Sequence, residues 1–150
     1  MAKKPMDIAL YEANLAANRD EVPVGAVIVQ NGNIIAQAGN LTRHHYDPTG
    51  HAEILAIRMA CHVLQSDRLP QCDLYVTLEP CTMCAAAISF ARIRRLYYAA
   101  SDPKGGAVEN GVCFFHQNTC HHAPEIYSGF AQSDAENLLK NFFRTKRDRP

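Results

Sequence analysis

Two short segments, His51-Ala52-Glu53 and Pro80-Cys81-Thr82-Met83-Cys84, constrain the fold most, because side chains that bind one metal must be brought together by everything between them. One imidazole and two thiolates are borderline and soft ligands of the kind zinc takes. A closed structural zinc site uses four protein ligands, so three leave a position for water and imply catalysis. Glu53 lies beside the histidine without being needed as a ligand, which is the place for a carboxylate that moves protons to and from that water. The alternative is a structural zinc knuckle completed by another side chain, with Cys61, His62, Cys72, Cys113, Cys120, His121 and His122 all available. A structural knuckle gives no reason for a glutamate so close to the histidine.

At 150 residues the chain is long enough for one domain, 1–150, that buries roughly two thirds of its unfolded surface. Asp7 and Glu12 interrupt any apolar core that a leader peptide would need, and no run reaches transmembrane length. No membrane is expected. Six cysteines without an export signal point to a reducing compartment, by default the cytoplasm. A formal net charge of zero argues against indiscriminate coating of nucleic acid. It leaves room for local contact through Lys140, Arg144, Lys146, Arg147 and Arg149, or through Arg92, Arg94 and Arg95. The simpler reading of both clusters is a solvated face.

Met6, Leu10, Ala13 and Ala17 recur at helical spacing and predict an amphipathic first helix ending near Asn18-Arg19-Asp20. Val24 to Val29 reads as a buried strand, and Asn31-Gly32 as a two-residue hairpin turn returning through Ile34-Ile35-Ala36. After a polar loop, Thr49 can cap a helix that opens at His51 and carries Ile54, Ile57, Cys61 and Leu64 on one face. Asp73 to Leu78 is the next strand, and Pro80 suits the start of a helix on which Cys81 and Cys84 share a face. Leu96 to Ala100 follows as a strand, so the intervening helix is a crossover and the two strands pair in parallel. Ser133 with Glu136 reads as a capping box for a closing helix striped with Leu138, Leu139, Phe142 and Phe143. Between Gly105 and Gly129 only short pieces are expected. The sum is an α/β layered domain with a mixed sheet.

Zinc lowers the pKa of a coordinated water from 15.7 to about 7, and Glu53 can accept the released proton. Given an exocyclic amine on an electron-poor ring carbon, water adds at that carbon, the glutamic acid protonates the adjacent ring nitrogen, and ammonia leaves. H-x-E followed by P-C-x-x-C is the known signature of the zinc nucleobase and nucleoside deaminases, so this chemistry is matched to a family. Val22 to Val27, Asn40, Asp47-Pro48-Thr49, His51 to Ile54, Leu74 to Cys84, Asp102 to Gly106 and Phe142-Phe143-Arg144 together resemble the bacterial tRNA-specific adenosine deaminases over nearly the whole chain.

That resemblance implies a three-layer α/β/α cytidine-deaminase-like fold with a mixed central sheet. It also implies one zinc ion per chain on His51, Cys81 and Cys84, with Glu53 as proton carrier, and inosine as product at the wobble position of a tRNA anticodon stem-loop. A homodimer is implied as well. By the same resemblance Asn40 hydrogen-bonds the flipped purine, Val24 and Leu78 shape its pocket, and Asp102 meets the ribose. The plainer readings are a loop amide, two core aliphatics and a turn aspartate. Of Phe142 and Phe143, one ring is expected to be buried and the other to reach RNA, with Arg144, Lys146 and Arg147 on phosphates. Gly50 stands where the family usually has alanine, and the run Ala107 to Gly111 lacks the expected small residues and serine. Cys113, Cys120, His121 and His122 fit no common metal spacing, which favours free thiols and surface imidazoles.

Two other readings stay open on sequence. A deaminase of free guanine or cytosine would use the same zinc and glutamate, although it has less use for Phe142-Phe143-Arg144 and the basic tail. A zinc-stabilised RNA-binding module without activity would have no use for Glu53.

Overall fold

Asn31 and Gly32 adopt φ of 52° and 78° in the computed structural model, the conformation a tight hairpin turn requires, and β1 (Gly25–Gln30) returns through them as β2 (Asn33–Gly39). The pair is antiparallel with an irregularity after Ile28, where Val29 faces Ile34 and Ile35 is left as the extra, bulged residue. Residues 4–147 are described, with side chains through Lys146; Arg147 as a phosphate contact, and Arg149, lie outside them.

β3 (Cys72–Leu78) pairs antiparallel with β1, and β4 (Arg95–Ala100) pairs parallel with β3, as a helical crossover demands. A further strand, β5 (Glu125–Ser128), adds in parallel to β4 and gives the order β2-β1-β3-β4-β5. Every β5 residue is exposed, so the sequence there carries no apolar alternation from which a strand could be read.

Helices α1 (Pro5–Asn18) and α4 (Gln132–Arg147) cover one face of the sheet, meeting Val27, Val29, Tyr75 and Tyr97. Helices α2 (Ala52–Leu64) and α3 (Thr82–Ala91) cover the other, meeting Ala26, Ile28, Leu74, Val76 and Leu96. These are the three layers and mixed sheet that the sequence implied. The innermost stripes are narrower than the larger apolar residues suggest. α1 buries Met6, Ala9, Ala13 and Ala16, and α2 buries Ala52, Glu53, Ala56 and Ala60, while Ile57, Cys61 and Leu64 pack at the margin. Alanine brings a helix axis close to the sheet, so the bulkier side chains fill the flanks.

Two proposed caps are replaced. Thr49 Oγ1 donates to Asp47 Oδ1 at 2.7 Å, and the α2 terminus is capped from a distant loop, the Ala52 N–H donating to Asn40 Oδ1 at 2.8 Å. Ser133 lies inside α4, which starts at Gln132 after Ala131 at φ 55°, and Glu136 Oε1 accepts from Gln132 Nε2 at 2.8 Å. The Arg94 and Arg95 cluster is spent internally. Arg94 makes a two-pronged bond to Asp73, both contacts at 3.0 Å, and Arg95 meets Glu125 at 3.1 Å.

Candidate metal and catalytic site

His51 is the residue just before α2 and Cys81 the residue just before α3, both with extended backbone, so the two helix N-termini meet above one end of β1 and β3. Cys84 is in the first turn of α3 and fully buried. His51 Nδ1 stands 3.6 Å from Cys81 Sγ and 3.5 Å from Cys84 Sγ. A tetrahedral zinc with Zn–S of about 2.3 Å and Zn–N of about 2.0 to 2.1 Å needs nitrogen and sulfur about 3.6 Å apart, so the donor set fits the ion. Among the described residues this is the one His, Cys, Asp and Glu group that converges on a metal position.

The sulfurs are poised for a cation. The hydrogen bond from Cys84, outweighing burial, brings the Cys81 thiol down to about 4, and the same contact together with burial pushes Cys84 up. Two thiols so close favour losing a proton from one of them, and a divalent ion would favour it for both. By contrast, burial pushes the Cys72 thiol up to about 11 and raises that of Cys61, so neither is disposed to serve as a further ligand. Cys113 Sγ points to the Asn110 carbonyl, Cys120 Sγ to the His122 carbonyl, and His122 Nε2 to the Ile93 carbonyl at 2.7 Å, which removes the second metal cluster.

Glu53 is only 4% exposed in the first turn of α2, and its burial, chiefly, raises the carboxyl to about 7. A group that holds or yields a proton near neutrality is what general acid and base work requires. Glu53 lines a pocket of about 220 Å³ together with Val22, Val24, Asn40, His51, Leu78, Glu79, Cys81, Asp102 and Gly105. The volume lies below the usual 300 to 1,000 Å³ of clefts for drug-sized ligands and suits a small flat ring. Asn40, Val24, Leu78 and Asp102, spread over 24 to 102 in the chain, are therefore brought to one pocket. Val22, Glu79 and Gly105 were not singled out as site residues. A glutamate ending an apolar strand beside a ligating cysteine was the signal available for Glu79.

The approach to His51 is built from local bonds. Asp47 Oδ1 accepts from the Thr49 N–H at 2.9 Å, and the Gly50 and Leu41 backbones meet through Leu41 N–H to Gly50 O at 2.9 Å. A Cβ at Gly50 would come within 2.9 Å of the Leu41 carbonyl oxygen, so glycine here permits the close approach of the two chain segments. The next loop is held by Glu21, 1% exposed, which accepts from Thr42 Oγ1, from the Arg43 and His44 N–H groups, and from His44 Nδ1 at 2.9 Å. Burial alone would raise the Glu21 carboxyl, but the hydrogen bonds, led by those from His44, prevail and hold it at about 2. Its folded pKa is below its unfolded one, so this stabilisation is complete above about pH 4.5 and disappears as pH falls toward 2. Glu21→Gln is expected to cost on the order of 3 kcal/mol at neutral pH and to flatten the acid limb of stability, measured by denaturant unfolding from pH 7 to 3.

Phe142, Phe143 and Arg144 are not in the pocket. Phe142 is half-buried and meets Phe143 edge-on at 5.3 Å, with Lys146 Nζ 5.6 Å from its ring, while Phe143 is 48% exposed. Both rings line a neighbouring depression with Glu21, Val22 and Arg43, so Val22 is shared with the Glu53 pocket. Arg144 is exposed beside Asn141.

Residues 1–100 match the cytidine and deoxycytidylate deaminase zinc-binding region. A protein of Agrobacterium fabrum named tRNA-specific adenosine deaminase is 66% identical over 142 residues, covering 95% of this chain and 93% of that protein. A structure solved in studies of A-to-I editing by tRNA:A34 deaminases at the wobble position of transfer RNA superposes with a TM-score of 0.89 at 66% identity, covering 90% of this chain and 98% of the other. A guanine deaminase from Nitrosomonas europaea, 22% identical with a TM-score of 0.81 over 95% of this chain and 85% of its own, shares the fold alone. Because the matched region includes both His51 and the Cys81 and Cys84 pair that the fold unites, the likeness extends to the metal centre, and the chain belongs to the zinc-dependent cytidine and deoxycytidylate deaminase family.

Proposed function

We propose that this chain, as a single domain over residues 1–150, hydrolytically deaminates adenosine to inosine at the wobble position of a tRNA anticodon. The observation that carries this reading is the 66% identity, over 95% of the chain, to a protein named tRNA-specific adenosine deaminase. Zinc, when held by His51, Cys81 and Cys84, supplies a water acidic enough to serve as nucleophile near neutral pH. Glu53 takes the proton that this water releases and delivers it to the purine nitrogen beside the carbon under attack. A second transfer through Glu53 lets the amine leave as ammonia. Its burial keeps bulk water from short-circuiting those transfers.

Asn40 holds the base. Its carbonyl oxygen is occupied by the Ala52 N–H, so its amide nitrogen is left to donate to the purine. Val24 and Leu78 form apolar walls, and Asp102, with Oδ1 tied to the Gly105 N–H at 3.0 Å, turns its other oxygen toward the ribose. Outside the pocket, Phe143 offers an exposed ring for a loop base, an interaction worth about 1 to 3 kcal/mol per stacked base. Phe142 backs it, and Arg144, exposed on the same helix, meets a phosphate.

The enzyme works as a homodimer in the cytoplasm. Phe90 is 74% exposed beside a groove between α2 and α3 whose apolar residues Ile54, Ile57 and Ala87 are rimmed by Arg58, Asp67, Arg68 and Arg92, a face that a second copy would cover. Free cysteines suit a reducing compartment, and among the described residues no helix is long and apolar enough to cross a membrane.

The purified protein is expected to convert wobble adenosine to inosine in an anticodon stem-loop while leaving free adenine, guanine and cytosine intact, as read by nucleoside chromatography. Conversion of a free base alone would overturn the reading.

A further inference from the structure

We propose that Glu79 is a positioning residue that holds the 101–110 segment, and with it Asp102 and Gly105, closed against the substrate. The segment contains no helix or strand, so no regular ladder takes up its backbone donors. Glu79 takes that place. Its Oε1 accepts from the Asp102 N–H at 3.0 Å, Asn110 Nδ2 at 2.7 Å and Ser101 Oγ at 3.3 Å. Its Oε2 accepts from the N–H groups of Val108 at 3.0 Å, Glu109 at 2.9 Å and Asn110 at 3.1 Å. Six donors converge on one carboxylate that is 2% exposed, and an ionised acid, which has no proton of its own to place, is the form that accepts at both oxygens.

The chain folds tightly over this group. A Cβ on Gly106 would overlap the Glu79 carboxyl carbon, so the segment wraps the carboxylate with no side chain between. Glu79 is not among the groups that converge on the metal position, and its own backbone is tied to β4 through the Ala100 carbonyl at 2.8 Å. The zinc ligands sit at the starts of α2 and α3, and the segment's tie beside them, from the Ala107 N–H to the Pro80 carbonyl at 2.8 Å, runs through backbone and does not use the Glu79 carboxylate. Loss of the carboxylate therefore frees the wall that carries Asp102 and Gly105 without moving Cys81.

Asp102 and Gly105 touch the substrate away from the reacting carbon, an interaction equal in ground and transition states, whose loss raises KM and spares kcat. This assignment of a substrate rests on the wobble-adenosine reading. Glu79→Gln turns an amide NH2 toward backbone donors that need an acceptor. It is expected to raise KM for the anticodon stem-loop by roughly tenfold or more, with kcat within about threefold and zinc still at one per chain. Amide hydrogen exchange is expected to quicken at Asp102, Val108, Glu109 and Asn110 and to stay unchanged at Leu55 and Ala85 in the first turns of α2 and α3. Asn110→Ala removes one donor without altering the buried strand and decides the matter if Glu79→Gln does not fold. It is expected to raise KM by about threefold and to quicken exchange at Asp102 and Val108. Unchanged exchange at those amides, or a fall in kcat at constant KM, overturns the proposal. Should the wild-type protein leave the stem-loop unconverted, the wobble-adenosine reading fails, and exchange at the four amides still tests the role of Glu79.

Discussion

Replacing Glu53 with alanine is expected to leave one zinc per chain and a folded protein while lowering deamination by at least roughly 10² to 10⁴. The metal is insulated from the change because His51, Cys81 and Cys84 converge without Glu53. The helix is insulated as well, since alanine already lines the buried face of α2 at Ala52, Ala56 and Ala60 and is the strongest helix former. Only the proton path is removed. Of the other carboxylates that line the pocket, Glu79 is saturated by the 101–110 segment, and Asp102, tied through Oδ1 to the Lys104 and Gly105 backbone, is assigned to the ribose and not to the reacting carbon. Inosine formation, metal analysis and melting on the same preparation check this. Activity near the wild-type level would show that another group carries the proton.

Replacing Cys84 with alanine is expected to strip the zinc, abolish turnover and destabilise the fold. Two ligands cannot hold the ion as three do, and deamination has no nucleophile without it. The sulfur is fully buried where α3 meets the sheet layer, so the metal joins the first turns of two helices that otherwise meet through side-chain packing. Its loss removes a cross-link as well as a reagent. Chelation of the wild-type protein is the reversible counterpart: activity and melting temperature should fall together and return together when zinc is restored. Stoichiometric zinc in Cys84→Ala would mean that the metal sits elsewhere.

Much of this site was legible in the chain because its chemistry is local. A histidine and glutamate two positions apart, and two cysteines three apart, stay close whatever surrounds them, in each pair one at the residue before a helix and the other in its first turn. The hairpin at Asn31-Gly32 and the parallel β3 and β4 pairing were equally local, set by turn chemistry and by the length of a crossover. Thr49 and Ser133 misled for the opposite reason. A cap is a hydrogen bond to whichever oxygen is nearest in space, and for α2 that oxygen came from Asn40, 12 positions upstream. Between Gly105 and Gly129 the structure has only the short pieces expected, and the type of β5 was not legible because a short exposed edge strand owes its pairing to its neighbour more than to its own pattern.

By itself, then, the sequence determined the ligand set His51, Cys81 and Cys84, the placement of a glutamate, Glu53, beside them and the order of helices and strands around them. Those follow from donor chemistry and from spacing along a helix or strand. The tertiary structure alone decided that Asn40 spends its oxygen on a helix end, that Glu21 and Glu79 are buried loop anchors, and that Val22 joins the pocket to the Phe142 and Phe143 surface. A carboxylate or an amide has the same chemistry everywhere in a chain, and what it does depends on which distant donors folding brings within 3 Å of it.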